Sequence, residues 1–458
     1  MKPENNAKKI LMYTQSMAKM TEFNVPEADQ EAIIERYTNP PEDLFILVIG
    51  ILGRVSRDII EHRNEASLLS LPGKDALFCA NFFDSYKNSG RLNELSEYYL
   101  LVGSAAYYLA KLPGSSAVLN QTLESPSLDA ERLDDLLLAL LKHNLDIDFS
   151  NSFYKNEIEQ FALFYKNFIE SGNDELQTIE KCSILYNKIL ELGSPREVFF
   201  GELIFAICIM KITFSSWKLL PLFSGLSVDL WRNVIGKRSF IKELWPAQVL
   251  LGENNIYKGA SAVIQMPTSA GKTKSTELII RSAFMSNRTN LAIVVAPFKA
   301  LCHEIRNDYL KCFKEDANIF VDDITDVFEQ DFSNVFSDDE KHIAVLTPEK
   351  LYYLLTQNTK FVENVGLVIY DEAHQFDSNE RGVTYELLLS KMKMLLKEHV
   401  QFILISAVIH NAENISSWIS ESCGVVSGID MSPTQRFIAF VKMYSSSGQI
   451  QYIENNSI

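Results

Sequence analysis

From about residue 260 the chain alternates short apolar runs with helix-length stretches: Ser261 to Gln265, Leu291 to Val295, His342 to Leu346, Val365 to Tyr370 and Gln401 to Ile405. Runs this short and this rich in Val, Ile, Leu and Ala suit strands buried on both faces, as in a parallel sheet. Parallel neighbours need crossovers, and helices supply them. The pattern therefore restricts residues 236–430 to a doubly wound α/β domain. Between the second and third runs lies an acidic stretch from Asp322 to Glu340, which reads as a solvated surface excursion.

The preceding part reads as helix after helix. Asn39-Pro40-Pro41-Glu42 supplies a cap, a proline near the first helical position and an acid in the first turn. Leu133, Leu136, Leu137, Leu140 and Leu141 form the stripe of a helix with one buried face. Ala105 to Leu112, then Pro113-Gly114, predicts two helices joined by a tight turn. Gly193 ends one helix, and Ser194-Pro195-Arg196-Glu197 opens the next with a capping box. No internal repeat or low-complexity tract is visible. The expectation is an all-helical domain over 1–235, a packing module by default, with 431–458 as a linker or the start of a further domain.

Composition narrows the function classes. The chain has 458 residues, 47% hydrophobic and 22% charged, enough for a sizeable core. Lys+Arg is 43 against Asp+Glu 59, a net charge of -16, which excludes nucleic-acid binding by bulk positive charge but leaves a local groove open. The six cysteines are scattered without disulfide-scaffold or zinc-ligand spacing. The most apolar runs, Leu44 to Leu52 and Leu203 to Met210, fall short of the ~20 residues that span a bilayer. With no secretory signal, the chain reads as cytoplasmic, with no membrane partner.

The first chemistry-bearing segment is Met266-Pro267-Thr268-Ser269-Ala270-Gly271-Lys272-Thr273, between a strand and a helix. Small residues let backbone N–H groups wrap a phosphate; a lysine meets the β- and γ-phosphates, and a hydroxyl ligates Mg²⁺. Met266 stands where the general pattern has glycine. Far downstream, Asp371-Glu372-Ala373-His374 ends a strand. An aspartate there can hold Mg²⁺ through water, and the adjacent glutamate can orient and deprotonate an attacking water. Lys272, Asp371, Glu372 and His374 are thus the candidate catalytic group, with Thr273 and Asp371 at the metal. Mg²⁺ and a nucleotide are the expected ligands.

These two segments resemble the first, RecA-like motor domain of the superfamily-2 DEAD/DEAH-box helicases, in the branch containing archaeal repair helicases and exosome-assisting RNA helicases. The resemblance covers about residues 240–442. Pro267 to Thr273 is the form that branch uses. Leu244-Trp245-Pro246-Ala247-Gln248 resembles its upstream Pro-x-Gln segment, which implies that Gln248 reads adenine. Ala296 to Leu301 and Thr347 to Leu351 resemble motifs Ia and Ib, implying backbone contacts by Pro297, Lys299, Thr347 and Pro348. Glu380-Arg381-Gly382 resembles another segment of the branch, which adds Arg381. Ser406-Ala407-Val408 stands where the family has Ser-Ala-Thr, so Ser406 and Ala407 are coupling candidates. Contacts of this kind touch phosphates rather than base edges, so a single strand of DNA or RNA would be held without regard to sequence.

Motors of this family close a second α/β domain over the nucleotide and draw from it an arginine that steadies the transition state. Only about fifty residues follow Val408 here, and Arg436 reads as a linker residue. The expectation is the N-terminal motor half of a longer, split or degenerate helicase, binding Mg-ATP with feeble turnover and no unwinding. The competing reading is an ATP-gated scaffold or sensor whose helical half holds a protein partner such as a nuclease. That half resembles helicases of the Hachiman type of bacterial anti-phage system. A metabolic P-loop kinase would leave Thr347 to Leu351 and Ser406 to Val408 unexplained.

Overall fold

A computed structural model describes residues 11, 42–63, 73–88, 96–123, 132–267, 270–322, 340–357, 364–373, 379–395, 400–407, 409, 411–429, 431, 438–443 and 448–453. The chain divides into two compact units: Met1–Ser215 with Pro433–Ile458, and Ser216–Ser432.

The first unit carries helices α1 (Glu42–Glu61), α2 (Lys74–Asn88), α3 (Ser96–Leu109), α4 (Pro113–Gln121), α5 (Leu133–Leu141), α6 (Lys155–Ser171), α7 (Glu175–Leu192) and α8 (Pro195–Thr213). The leucine stripe of α5 is buried. The capping box of α8 is complete: Glu197 N–H donates to Ser194 Oγ at 3.4 Å, and Ser194 N–H donates to Glu197 Oε2 at 2.7 Å. Residues 39–41, read as the cap of α1, lie outside the described residues.

The second unit opens with α9 (Ser216–Ser224), α10 (Val228–Ile235) and α11 (Pro246–Glu253). A boundary at 235 was expected, whereas the compact units divide after Ser215, so α9 and α10 group with the sheet. Trp231, fully buried on α10, donates from Nε1 to Ser224 Oγ at 3.0 Å. Then come β1 (Ala262–Gln265), α12 (Lys272–Met285), β2 (Leu291–Val295), α13 (Lys299–Cys312), β3 (Ile319–Asp322), β4 (Lys341–Leu346), α14 (Pro348–Gln357), β5 (Val365–Tyr370), α15 (Asn379–Leu395), β6 (Gln401–Ser406), α16 (Ala412–Ile419) and β7 (Gly424–Ser427). A hairpin of β8 (Ile438–Met443) and β9 (Gly448–Ile453) belongs to the first unit, in the range read as linker.

The seven strands of the second unit form one parallel sheet in the order β3-β4-β2-β5-β6-β1-β7. A helical region followed by one doubly wound parallel sheet is the fold the sequence predicts. The crossovers through α12 and α13 run one way along the sheet and those through α14, α15 and α16 the other, so right-handed connections put helices on both faces. Tyr309 Oη donates to Thr276 Oγ1 at 2.8 Å and joins α13 to α12; Lys391 Nζ donates to Thr356 Oγ1 at 2.6 Å and joins α15 to α14. Ile293, Val368, Leu388 and Met392 are among the fully buried side chains of the core, each contributing roughly 1.5–3 kcal/mol.

Candidate functional site

The register aligns the C-terminal ends of the central strands: Gln265 lies opposite Ser406, Leu404 opposite Tyr370, and Val295 opposite both Tyr370 and Leu346. Loops leaving β1, β6, β5, β2 and β4 therefore emerge along one edge, where open α/β sheets bind ligands.

The loop after β1 is tied down at its start. Met266 N–H donates to the Ser406 carbonyl at 2.8 Å, and the Met266 side chain is buried. Methionine at a glycine position is thus accommodated by turning into the core. Pro267 and Ala270 are buried, Lys272 is half-buried and Thr273 exposed; Thr268 and Ser269 lie outside the described residues. Gly271 opens α12 with φ +83°, in the left-handed region, and a Cβ there would sit 3.4 Å from Gln248 Nε2. Gln248 is buried beside the loop, with Oε1 accepting from Trp245 N–H at 2.9 Å.

The acids approach from β5. Asp371 N–H donates to the Val295 carbonyl at 2.8 Å, which fixes where the strand ends. Glu372 then turns into the left-handed region at φ +53°, its N–H donating to Asp371 Oδ1 at 3.0 Å. A non-glycine residue held there stores roughly 1–3 kcal/mol of strain, a pattern that clusters at functional sites. The turn brings Glu372 Oε1 to 3.0 Å from Lys272 Nζ. His374 lies outside the described residues.

Chemically, this edge offers a lysine ammonium, the N-terminus of α12 behind Gly271, and hard oxygen donors on Thr273 and Asp371. Such donors suit Mg²⁺ held partly through water and phosphate. Among the described residues, no group of three or more His, Cys, Asp or Glu side chains could hold a metal ion by itself. A phosphate at this edge would compete with Glu372 for Lys272, and a displaced carboxylate could accept a water proton.

Further along the edge, Ala296 N–H donates to the Leu346 carbonyl at 3.0 Å, so the strand ends after β2 and β4 lie side by side. Pro297 and Pro348 are buried, Thr347 half-buried and Lys299 exposed. Burial pushes the Cys302 thiol up to about 11. Arg381 lies in α15, its side chain outside the described residues. Ser406 is buried and Ala407 half-buried; Val408, Arg436 and residues 323–339 of the acidic stretch lie outside the described residues.

Two features escaped the sequence reading. Gln265 Nε2 donates to the Ile409 carbonyl at 2.6 Å, linking the end of β1 to the segment after Ser406-Ala407. Behind the loop, Arg281 binds Glu277 at 2.9 Å and Asp316 at 3.0 Å, and Asp316 also accepts from Lys237 at 2.6 Å. The Glu277–Arg281 half is an ordinary i,i+4 helix pair, but Gln265 to Ile409 and Arg281 and Lys237 to Asp316 meet only through the fold.

Residues 252–415 match the DEAD/DEAH box helicase family. The chain is 25% identical over 355 residues to Hachiman protein HamB of Bacillus cereus, covering 71% of this chain and 31% of that protein. It is 30% identical over 191 residues to ATP-dependent DNA helicase Hel308 of Pyrococcus horikoshii, covering 41% of this chain and 25% of that one. The chain thus spans about a third or less of the length of these relatives. Among solved structures, the DUF1998 helicase MrfA bound to DNA aligns with a TM-score of 0.34 at 20% identity, covering 43% of this chain and 29% of that one. Among the described residues, no helix is long and apolar enough to cross a membrane.

Proposed function

Because residues 252–415 match the DEAD/DEAH box helicase family, we propose that the chain is the N-terminal motor half of an ATP-dependent nucleic-acid helicase or translocase. Mg-ATP sits between Pro267–Thr273 and Asp371-Glu372. Lys272 meets the β- and γ-phosphates, and Thr273 and Asp371 hold Mg²⁺. Glu372 takes the proton from the attacking water, and Gln248 reads the base. The observation that carries this reading is the 3.0 Å approach of Lys272 to Glu372, residues a hundred positions apart in the chain. A strand of DNA or RNA lies across Pro297, Lys299, Thr347 and Pro348, its phosphates held by hydroxyl, lysine and helix N-terminal amides.

The test is calorimetric. Mg-ATP should bind the chain, and Lys272→Ala should abolish the heat; no heat with the unsubstituted chain would overturn the reading. In the chain joined to a second motor domain, single-stranded nucleic acid should raise ATP hydrolysis.

A second reading is favoured by one observation. The similarity to HamB runs for 355 residues, longer than the α/β unit 216–432, so it reaches into the helical half. On this reading the helical half holds a partner, such as a nuclease, in an antiviral system, with ATP as the gate. Affinity capture from native cells that returned no protein partner would count against it.

A further inference from the structure

We propose that a pocket within the helical unit receives the C-terminal residue of a protein partner, with an aromatic or branched apolar side chain inside and the terminal carboxylate at Arg132. The inference rests on the partner-holding reading above and names the chemistry by which that partner is held.

The cavity measures about 320 Å³, at the small end of the roughly 300–1,000 Å³ of ligand sites, so it takes a single residue rather than a length of peptide. Its apolar lining comes from separate elements: Leu133 on α5, Phe200 on α8 and Tyr154 just ahead of α6, all three buried. Phe153 also lines it but stays 70% exposed, its ring perpendicular to that of Tyr154 with the centroids 5.2 Å apart. An aromatic guest can pair with such a ring edge to face or offset, beyond the gain from burial alone.

Four charged side chains line the same cavity, and their bonds decide what it can take. Glu197 accepts from Ser194 N–H at 2.7 Å and from Tyr154 Oη at 3.3 Å. Asp134 accepts from Arg196 Nη2 at 2.6 Å, and that guanidinium lies over the Tyr98 and Phe200 rings, 5.0 and 5.6 Å from their centroids. Arg132 differs. It is exposed, its side chain makes no hydrogen bond or ion pair among the described residues, and it acts on Asp135 only through space. Both acids thus have donors while one guanidinium has no acceptor, so the group this pocket lacks is an anion. The planar fork of arginine matches a carboxylate, and the nearby Asp134 and Glu197 repel a phosphate dianion more than a single charge. An anion and an apolar body on one residue mark a chain end: an internal Phe or Leu carries no charge, and an internal Asp or Glu has no body to fill the cavity. Capture of a terminal carboxylate is an established mode of peptide recognition.

The experiment titrates the full chain into a short fluorescent peptide ending in phenylalanine, the same peptide with an amidated end, and a third ending in glycine. Anisotropy should show the free phenylalanine end bound on the order of tenfold more tightly than either control. Arg132→Ala should erase the preference for carboxylate over amide, and Phe153→Ala should reduce the preference for phenylalanine over glycine. Both side chains are exposed, so the melting temperatures should stay at the parent value. Equal binding of the three peptides by the unsubstituted chain, or binding of none, overturns the proposal. So does an Arg132→Ala chain that keeps the carboxylate preference. A protein partner captured from native cells equally well by the parent and by Arg132→Ala would overturn this pocket and leave the partner-holding reading standing.

Discussion

Lys272 and Glu372 form an ion pair at 3.0 Å with their side chains only 12% and 24% exposed, across the edge where the loops after β1 and β5 emerge. On the proposed Mg-ATP reading, nucleotide and carboxylate compete for one ammonium. Lys272→Ala should abolish Mg-ATP binding, whereas Glu372→Gln should bind at least as tightly as the parent. In the chain joined to a second motor domain, Glu372→Gln should lower turnover by about 10²–10⁴, the range for loss of a positioned base. Titration calorimetry and a phosphate-release assay separate the two effects.

Gly271→Ala tests the backbone of the loop. At φ +83° an added Cβ costs roughly 1–2 kcal/mol, and it would also press on Gln248 Nε2 from 3.4 Å. A modest fall in urea midpoint together with weaker nucleotide binding is expected. A variant with parent-like affinity would show that Gly271 does not shape the pocket.

Arg281 and Arg232 differ in burial rather than chemistry. Arg281 and Glu277 are each 2% exposed, whereas the Arg232–Asp229 pair is 50% and 85% exposed. Replacing Arg281 by Met removes one of two cationic partners from each of Glu277 and Asp316, which keep Lys274 and Lys237, and should cost about 1–3 kcal/mol. Arg232→Met should cost at most about 0.5 kcal/mol. Equal urea midpoints for the two variants would refute the distinction.

Glu202 on α8 gives the helical unit a pH dependence. Burial raises its carboxyl above the ordinary 4.5, and Arg57, 3.7 Å away, only partly offsets this. The folded state thus holds this proton more tightly than the unfolded state does. The resulting stabilisation is complete below about pH 4.5 and is lost as pH rises through the elevated folded value. Glu202→Gln should therefore be more stable than the parent at pH 7, with the gain shrinking toward pH 4. Urea unfolding at the two pH values reads the difference.

Much of the fold was legible because buried parallel strands leave apolar runs: all five expected runs are strands. β3 and β7 left no such run because they are edge strands; Phe320 is 41% exposed, and of β7 only Val426 is buried. Periodicity shows that α10 buries one face but not which core receives it, so the grouping of residues 216–235 with the sheet was hidden. At the site, the loop and the acids were readable because their spacing is local. The Gln265 to Ile409 hydrogen bond and the meeting of Arg281 and Lys237 at Asp316 were not, since they join distant parts of the chain, and the left-handed turn of Glu372 was not, since nothing in the residue type demands it.

The order of the sheet has one further consequence. A single strand, β6, separates β1 from β5, so the two halves of the site are held apart by two hydrogen-bonded spacings, about 9.6 Å. That interval is a ruler made of peptide backbone, and surface substitutions cannot stretch or shorten it. Only side-chain reach can bridge it, so shortening residue 372 to aspartate would open the pair as surely as removing the charge at 272.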